Sequence, residues 1–415
     1  LFARTTGTFK FGLERTRALL SELGEPQTQY PVLHIAGTNG KGSSVATAEA
    51  LLRARGLRVA RYTSPHLVHF PERIAVDGIP IGEAEIVQFI DRYTPMVERL
   101  GASFFEATTA LAFLHFAREN VDVALIETGL GGRLDSTNVV LPRAAGVTSI
   151  GYDHMEYLGS TLQAIAGEKA GIFKANTPAV IGEPDAEIRG LLARDARAAG
   201  ASSVRVVAEE MTVSDLEVRA TGTRFRLRAL DDEAVVETPL IGRHQAANFA
   251  FTLALLDSAG PPFRTSLVEA AANVHAVRLP GRFQRVGRWI FDVAHNADGA
   301  RTLAASLQTV QHDRPVVALL CVLADKDWRA MMDALAPVVD HFIITNAPTA
   351  PKSRAWSLVE AQAYAASRGY RADSVGDFDD ALARAERDGA TVLVTGSFHT
   401  VGDAMARLQV SPLTG

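Results

Sequence analysis

The stretch PVLHIAGTNGKGSSVATAEALLRAR, residues 31–55, decides the fold class of this chain. It begins with an unbroken apolar run at Pro31–Ala36, which predicts a buried parallel strand, and it ends with a helical pattern at Gly42–Arg55. The loop between them reads Gly37-Thr38-Asn39-Gly40-Lys41-Gly42-Ser43. A strand, a glycine-rich loop and a helix in this order are typical of a phosphate-binding loop, where backbone N–H groups, the helix N-terminus and Lys41 attract an anion.

The spacing of this loop differs from the common G-x-x-x-x-G-K-[ST] pattern. Ile35 stands where the first glycine belongs, and Gly42 separates Lys41 from Ser43. A glycine turn with an unrelated lysine is the alternative interpretation, but the strand–loop–helix setting favours phosphate binding. We therefore expect the loop to bind a nucleoside triphosphate and the Ser43 hydroxyl to bind Mg²⁺.

The bulk composition narrows the class of protein. With 415 residues, 47% of them apolar and 21% charged, the chain has the composition of a globular protein of two or three domains. A net charge of −5 gives no electrostatic reason to expect a nucleic-acid partner. No run approaches the ~20 apolar residues of a membrane span, and Leu1–Arg4 lacks the apolar core of a secretory signal, so we expect a cytoplasmic protein. Cys321 lies in an apolar run, which favours a buried, inert thiol over a nucleophile.

Apolar runs and helical patterns alternate along most of the chain, as in a doubly wound α/β domain. The predicted strands are Pro31–Ala36, Leu57–Thr63, Val121–Glu127, Gly146–Ile150, Pro178–Ile181, Trp289–Ala294, Val316–Val322, Phe342–Asn346 and Thr391–Thr395. The predicted helices are Gly42–Arg55, Ile81–Leu100, Phe105–Glu119, Thr161–Lys174, Gln245–Ser258, Gly299–Gln311, Trp328–Val338, Ser357–Gly369 and Phe378–Asp388. Period-two alternation in Val204–Leu240 predicts a small antiparallel side sheet. Pro280 and Gly281 indicate a linker, so we divide the chain into a domain at 1–278, a linker at 279–283 and a domain at 284–415.

Polar residues follow several predicted strands, where ligands collect in open α/β sheets. Glu127 ends one strand and precedes TGLGGR, residues 128–133. A capping or ion-paired carboxylate is the alternative, but the three glycines favour close approach of a ligand, so we expect Mg²⁺ at Glu127. Asp153-His154 also follows a strand, and here a structural and a functional role are equally supported. Spacing alone makes Ser64 a turn residue, and it makes Lys169 a solvent-facing cation beside Glu168.

Taken together, these segments resemble the folylpolyglutamate synthase/dihydrofolate synthase family of the Mur-ligase superfamily. The matching strings are Gly37–Ser43, Thr63–Leu67, Phe105–Thr109, Glu127–Asn138, Asp153-His154 with Leu158-Gly159, Glu168–Lys174, Gly242–Gln245 with Asn248, Pro280–Arg282, Asp292–Asn296 and Thr395–Ser397. They run in order from Phe11 almost to the C-terminus, and the ordered set is far more specific than any single string. Val293 and Ala297 depart from the family's D-G-A-H-N-P pattern, which we interpret as packing variation because neither side chain is an expected ligand.

The resemblance implies a fold, cofactors and site residues. The expected fold is a Mur-ligase-type P-loop ATPase domain, with a parallel sheet and a small antiparallel side sheet, followed by a smaller Rossmann-like α/β domain. The expected cofactors are ATP, two Mg²⁺ ions and a carbamate on Lys169, which would turn a repelling cation into an oxygen ligand; a monovalent cation is compatible with the family. Nucleotide binding would fall to the Gly37–Ser43 loop, Asn248, Arg282, Asp292 and His295. Metal binding would fall to Ser43, Ser64, Glu127, His154 and Lys169, and catalysis to Lys41, His154, Lys169, Arg282 and His295.

The implied reaction is ATP-dependent amide formation between a folate carboxylate and L-glutamate through an acyl phosphate, in a monomeric enzyme. The pterin side would lie near Phe105, Asp135 and Ser136, although core packing is an equally good account of Phe105. Dihydropteroate is a second candidate substrate. Two rival functions remain. A cell-wall Mur ligase would carry an N-terminal UDP-binding domain, for which the phosphate loop at Gly37 leaves no room, and a regulatory P-loop ATPase would need no glutamate site.

Overall fold

The structure is a computed structural model that describes residues 12–229 and 232–411. Leu1–Arg4, which we inspected for a secretory signal, and Phe11, where the family resemblance begins, lie outside the described residues.

Three sheets and the helices packed on them make up the described part of the chain. The helices are α1 (Glu14–Glu22), α2 (Lys41–Ala54), α3 (Glu83–Arg99), α4 (Phe104–Arg118), α5 (Met155–Leu158), α6 (Leu162–Ala170), α7 (Ala186–Ala198), α8 (Val207–Glu210), α9 (His244–Ala259), α10 (Leu267–Asn273), α11 (Ala297–Thr309), α12 (Trp328–Leu335), α13 (Leu358–Ser367), α14 (Phe378–Asp388) and α15 (Phe398–Arg407). Short 3-10 helices lie at Pro26–Thr28, Phe70–Arg73, Ser136–Val139, Val274–Ala276 and Lys352–Arg354. The strands are β1 (Val32–Ala36), β2 (Val59–Tyr62), β3 (Ile74–Val76), β4 (Ile79–Pro80), β5 (Val123–Glu127), β6 (Ala144–Val147), β7 (Ala179–Ile181), β8 (Val204–Val206), β9 (Met211–Arg219), β10 (Gly222–Ala229), β11 (Asp232–Thr238), β12 (Gln284–Val286), β13 (Trp289–Phe291), β14 (Val316–Leu320), β15 (His341–Ile344), β16 (Ala372–Ser374) and β17 (Thr391–Thr395).

The first sheet has the order β4-β3-β2-β5-β1-β6-β7-β8 and is parallel from β2 to β8. The central strand β1 lies between β5 and β6, with Ile35 opposite Glu127 on one side and opposite Gly146 on the other. The carboxyl ends of these three strands therefore meet at one edge of the sheet. That edge is where a doubly wound sheet binds its ligand.

Helices cover both faces of this sheet because its strands are apolar on both sides. Helices α2 and α9 pack on one face, and helices α4, α6 and α7 lie on the other. The small sheet β9–β11 is antiparallel and buries Phe225, Leu227 and Val236 against the α9 side of the core, while the outward residues of β9 are exposed. The predicted antiparallel side sheet is confirmed.

The second large sheet has the order β12-β13-β17-β14-β15-β16, and all its pairs are parallel except β12–β13. It has a core of its own, built around Phe291, Leu319, Phe342 and Leu393. Cys321 belongs to this core, and burial raises the pKa of its thiol to about 11, as expected of an inert cysteine. Residues 279–283 connect the two halves, and we propose them as the boundary between an N-terminal and a C-terminal domain.

The expected α/β fold class, with a parallel sheet, a small antiparallel sheet and a second α/β unit, is confirmed. The sequence does not predict helices α1, α7 and α10 or the edge strands β3, β4, β12 and β16. Helix α7 buries Ile188, Leu192 and Ala196 at helical spacing, but charged residues surround this narrow stripe and weaken its periodic signal. Edge strands of two or three residues are too short to show any periodicity.

Candidate active site

A cavity of about 690 Å³ lies between the two large sheets, within the usual size range of small-molecule sites. The Gly37–Ser43 loop forms one wall, together with the residues that follow β2, β5 and β6. The other wall comes from residues 279–283, the segment after β13 and the first turns of α11. The expected ATP and metal residues all line this cavity: Gly37, Thr38, Asn39, Gly40, Lys41, Gly42, Ser43, Ser64, Glu127, His154, Lys169, Asn248, Arg282, Asp292 and His295.

The glycine-rich loop is braced by the neighbouring strand end. The Thr38 N–H donates to the carbonyl of Ser149 at 2.6 Å, and the Thr148 hydroxyl donates to the carbonyl of Asn39 at 2.7 Å. Gly40 caps α2 with a φ of 94°, a left-handed conformation that glycine adopts without strain. The loop thereby presents the first turn of α2 to the cavity, where unpaired N–H groups and the helix dipole favour a phosphate.

Lys41 folds back on its own loop. Its Nζ donates to the carbonyl of Gly37 at 2.9 Å and to that of Thr38 at 3.1 Å, and it lies 3.7 Å from Glu127 Oε1. Only 16% of the side chain is exposed. Phosphate oxygens in the cavity would give this ammonium stronger, charged partners than the two carbonyls.

Glu127 is a buried carboxylate on the floor of the cavity, with 6% exposure. Burial raises the pKa of its carboxyl, although Lys41, Arg282 and the N–H of Ser64 all favour the charged form. Glu127, Ser43 and Ser64 line the same cavity, and a carboxylate with two hydroxyls is a set of hard oxygen donors, which fits Mg²⁺. Within residues 12–229 and 232–411, no three His, Cys, Asp or Glu side chains converge on one point. Nucleotide-bound Mg²⁺ does not need three protein ligands of this kind, because it binds one or two carboxylates and completes its coordination shell with phosphates and water.

His154 lies in the segment after β6, in a left-handed turn with a φ of 51°, and lines the cavity. Burial is the main cause that lowers the pKa of its imidazole to about 3; the Asp153 carboxylate opposes this shift and the Lys326 ammonium adds to it. The ring is therefore neutral at physiological pH, and its Nε2 lies 3.4 Å from Lys326 Nζ, which would have to move away before Nε2 could bind a metal ion. The sequence left a structural and a functional role equally supported, and the position of His154 in the cavity wall favours the functional one.

Lys169 is buried, with 5% exposure, and its Nζ donates to the carbonyl of Gly37 at 3.0 Å. The spacing-based interpretation of Lys169 as a solvent-facing cation beside Glu168 is therefore wrong. Glu168 instead forms an ion pair with Arg133 at 2.7 Å, while Lys169 points from the last turn of α6 toward the phosphate loop. Burial, reinforced by the nearby charge of Lys41, lowers the pKa of Lys169 to about 7.

The C-terminal side of the cavity contributes Arg282, Asp292 and His295. The Arg282 guanidinium lies between the charges of Asp292 and Glu127 and stacks 5.1 Å from the ring centre of Phe398. Asp292 accepts the N–H groups of Phe283 and Ala294, both at 2.8 Å, so its carboxylate also fixes the linker against β13. His295 Nδ1 lies 2.9 Å from the carbonyl of Val293.

The residues expected on the pterin side do not line this cavity, but Phe105 and Asp135 contact Gly129, which does. Phe105 stacks on Tyr62 with 5.9 Å between ring centres. The Asp135 carboxylate accepts the N–H groups of Gly129 and Leu130 at 2.9 and 2.7 Å, and so holds the glycine-rich segment after β5 in place. Ser136 is buried beside it. Their role in substrate binding stays a prediction.

Three residues of the cavity region were not singled out from the sequence: Asn296, Lys326 and Phe398. Asn296 and Lys326 both donate hydrogen bonds to Asp153, and the Phe398 ring lies 5.6 Å from that of His295. Lys326 follows β14 by a few residues, so the strand-end argument applied to Glu127 could have indicated it. Phe398 gave no such signal, because a single aromatic residue at a helix start is usually a core residue.

A glycine-rich loop, a buried carboxylate and an arginine on the linker line one cavity between two α/β units, as expected of an ATP-dependent ligase of the Mur type. Two family models match the chain accordingly: the Mur ligase middle domain at residues 35–256, and the Mur ligase glutamate ligase domain at residues 281–398. Among the described residues, no helix has the length and apolar character needed to cross a membrane.

Named relatives identify the branch of this superfamily. A dihydrofolate synthase/folylpolyglutamate synthase of Mycobacterium tuberculosis is 36% identical, over 94% of this chain and 89% of the relative. The structure of a folylpolyglutamate synthase from the same organism, complexed with ADP and AMPPCP, matches with a TM-score of 0.88 and 35% identity over 97% of this chain and 96% of that one. A bifunctional folylpolyglutamate synthase/dihydrofolate synthase with Mn, AMPPNP and L-glutamate bound matches with a TM-score of 0.85 and 32% identity over 99% and 97% of the chains. The chain belongs to the folylpolyglutamate synthase/dihydrofolate synthase family.

Proposed function

We propose that this protein is an ATP-dependent ligase that adds L-glutamate to a folate carboxylate. The observation that carries the proposal is the single cavity that brings together Lys41, Glu127 and Arg282, from the phosphate loop, the end of β5 and the linker. Both rival functions lack support. The relatives named above are folate enzymes rather than cell-wall ligases, and the glutamate ligase domain at residues 281–398 is no part of a simple P-loop switch.

The chemistry follows from the poor reactivity of a carboxylate. An oxygen of the folate carboxylate attacks the γ-phosphorus of ATP, and ADP leaves, so that an acyl phosphate forms. The deprotonated α-amine of glutamate then attacks the acyl carbon, the C–O bond to phosphate breaks, and the amide and free phosphate result. Lys41 and Arg282 would stabilise the negative charge on the transferring group, and domain closure would bring Arg282 onto it. No covalent bond to the protein is needed.

Metal binding would be shared between two sets of residues. Glu127, Ser64 and Ser43 would hold one Mg²⁺ beside the phosphates, and His154 with Lys169 would hold a second. The metal would neutralise phosphate charge and align the γ-phosphate with the attacking oxygen.

The carbamate on Lys169 is part of this proposal. CO₂ adds only to a neutral amine, and the burial that lowers the pKa of Lys169 to about 7 makes the neutral form accessible at physiological pH. The carbamate would present oxygen where the free ammonium would repel a cation. A monovalent cation near the nucleotide, a monomeric state and a cytoplasmic location stay predictions from the sequence.

We also propose that dihydropteroate is a second substrate. The support is the bifunctional name of the relatives and the intact segment Arg133–Asn138. Phe105, Asp135 and Ser136 would act on the pterin side, with Asp135 working through the loop that it holds.

The test is incubation of the purified protein with ATP, Mg²⁺, L-glutamate and either a reduced folate or dihydropteroate. We expect ADP release and a product heavier by one glutamate residue on each substrate, and Lys41→Met should abolish both. Lys352→Met is the matched control, because Lys352 is exposed and outside the cavity. Release of ADP at the same rate without folate and glutamate would refute the ligase and favour a regulatory ATPase. A mass gain on the folate alone would limit the enzyme to one activity.

A further inference from the structure

One buried carboxylate joins the two domains across the cavity. Asp153, in the loop after β6, is only 8% exposed, and three side chains of the C-terminal domain contact it. Lys326 Nζ donates to Oδ1, Asn296 Nδ2 donates to Oδ2 at 3.1 Å, and His295 Nε2 lies 3.3 Å from Oδ2. Both oxygens of the carboxylate are therefore occupied by partners from the other domain.

These partners come from two separate places in the second sheet. His295 and Asn296 follow β13, and Asn296 also caps α11 by accepting the N–H of Gly299 at 2.8 Å. Lys326 lies in the turn between β14 and α12, and only 6% of its side chain is exposed. Two anchor points at different strand ends fix the rotation of the second sheet as well as its distance. A single contact would fix only the distance.

The same contacts adjoin the proposed reaction site. Asp153 Oδ1 accepts the backbone N–H of His154 at 2.8 Å, and Asn296 exchanges hydrogen bonds of 3.2 and 3.4 Å with Asn39 of the phosphate loop. When the domains are apart, water can solvate Asp153 and Lys326 separately. When they meet, each of these charges loses its water and has the other as its partner. The ion pair between Asp153 and Lys326 therefore forms only when the two domains meet in one relative orientation.

We propose that Asp153 is an interdomain latch: a positioning residue that aligns His295 and Asn296 of the C-terminal domain with His154 and the phosphate loop. Neither Asp153 nor Lys326 has a role in the proposed reaction. As parts of the latch, both residues hold the two domains in alignment. The kinetic part of its test rests on the proposed function. The alignment itself does not.

The test measures the distance between the domains by pulsed electron resonance. Spin labels go on Ala198→Cys in α7 and Ala366→Cys in α13, two exposed positions in different domains, while Cys321 is buried and stays unlabelled. The variants are Asp153→Asn, Lys326→Met and the double variant. The matched control is Glu183→Gln, because Glu183 is also a buried carboxylate but accepts the N–H groups of Ile150 and Asp185 within its own domain.

We expect a narrow distance distribution in the unsubstituted protein and in Glu183→Gln, and a broader one, extending to longer distances, in Asp153→Asn and Lys326→Met. The double variant should broaden it no further than Asp153→Asn alone, because Asp153→Asn already removes the charge that Lys326 pairs with. Turnover at saturating substrates should fall at least ~10-fold in Asp153→Asn. If Asp153→Asn does not fold, Lys326→Met carries the test from the other domain.

Two outcomes would overturn the latch. In one, Asp153→Asn and Lys326→Met keep the distribution of the unsubstituted protein. In the other, Glu183→Gln broadens it equally, which would mean that loss of any buried carboxylate loosens the molecule. If the unsubstituted protein forms no glutamylated product while the distance results hold, the proposed function fails and the latch stands.

Discussion

Replacement of Gly40 by alanine tests whether the geometry of the phosphate loop governs nucleotide binding. Gly40 has a φ of 94°, and a Cβ atom there would lie 2.5 Å from Asn248 Oδ1 and 3.5 Å from Thr148 Cβ. The amide of Asn248 would have to turn away, and it would lose its hydrogen bond to Gln245, which is 3.1 Å long. Gly40→Ala therefore disturbs both the loop and an expected phosphate ligand.

The size of the effect follows from these two terms. A left-handed alanine costs about 1–2 kcal/mol, and loss of the hydrogen bond costs ~1 kcal/mol, so unfolding should become easier by ~2–3 kcal/mol. Hydrogen bonds to a charged phosphate are worth ~1.5–3 kcal/mol each. Misplacing one of them should raise the KM for ATP by roughly 10–100-fold. The measurements are urea unfolding and ADP release at varied ATP concentration.

Gly56→Ala is the matched control at the other end of the same helix. Gly56 has a φ of 80°, but a Cβ atom there would meet nothing within 4 Å. It should therefore show only the conformational cost of ~1–2 kcal/mol, with an unchanged KM for ATP. If both variants lose the same stability and both keep the KM of the parent protein, the contact between Gly40 and Asn248 plays no part in nucleotide binding.

Three further predictions concern single side chains. Lys169→Ala should abolish turnover, with partial recovery in acetate, and a fully active variant would make the lysine structural. Arg282→Lys should lower kcat by about 10²–10³-fold in the ligase assay, and a changed ATP affinity at unchanged kcat would contradict this role. Burial lowers the pKa of His34 to about 3. The folded state therefore keeps this ring neutral, and the stability that this contributes is fully present above the unfolded-state pKa of ~6.5. It is lost as the pH falls, so the free energy of unfolding should drop by about 2 kcal/mol by pH 5. Urea unfolding at pH 8 and at pH 5 measures this drop. The free energy of unfolding should fall less between the two pH values in His34→Gln than in His69→Gln, where an exposed histidine is replaced as the control.

The sequence predicted the strands and helices around the nucleotide site with errors of only a few residues. The apolar run before Gly37 and the glycines after Glu127 are local signals, so the strand–loop–helix unit and the strand-end carboxylate could be recognised from neighbouring residues. The expected roles of the loop, Ser43 and Glu127 followed from these local patterns. The expected roles of Ser64, Lys169, Asn248, Arg282, Asp292 and His295 came only from the resemblance as an ordered set.

Side-chain direction could not be predicted in the same way. Lys169 and Glu168 are neighbours on one helix, and only the packing of α6 against the phosphate loop decides which of them is buried. Asp153 and Lys326 are separated by 172 intervening residues and meet only because two sheets face each other. Long-range ion pairs of this kind leave no periodic or local pattern in the chain. They need the tertiary structure.

The carbonyl of Gly37 links the nucleotide site to the chemistry of Lys169. Lys41 and Lys169 both donate to this one oxygen, at 2.9 and 3.0 Å, so the two ammonium groups are held close together. Their repulsion adds to the burial that lowers the pKa of Lys169. A nucleotide that draws Lys41 onto its phosphates would free the shared carbonyl. A carbamate on Lys169 would remove the second positive charge and turn the repulsion into attraction. The loop proposed to bind ATP and the lysine proposed to hold a metal ion are thus coupled through one backbone oxygen.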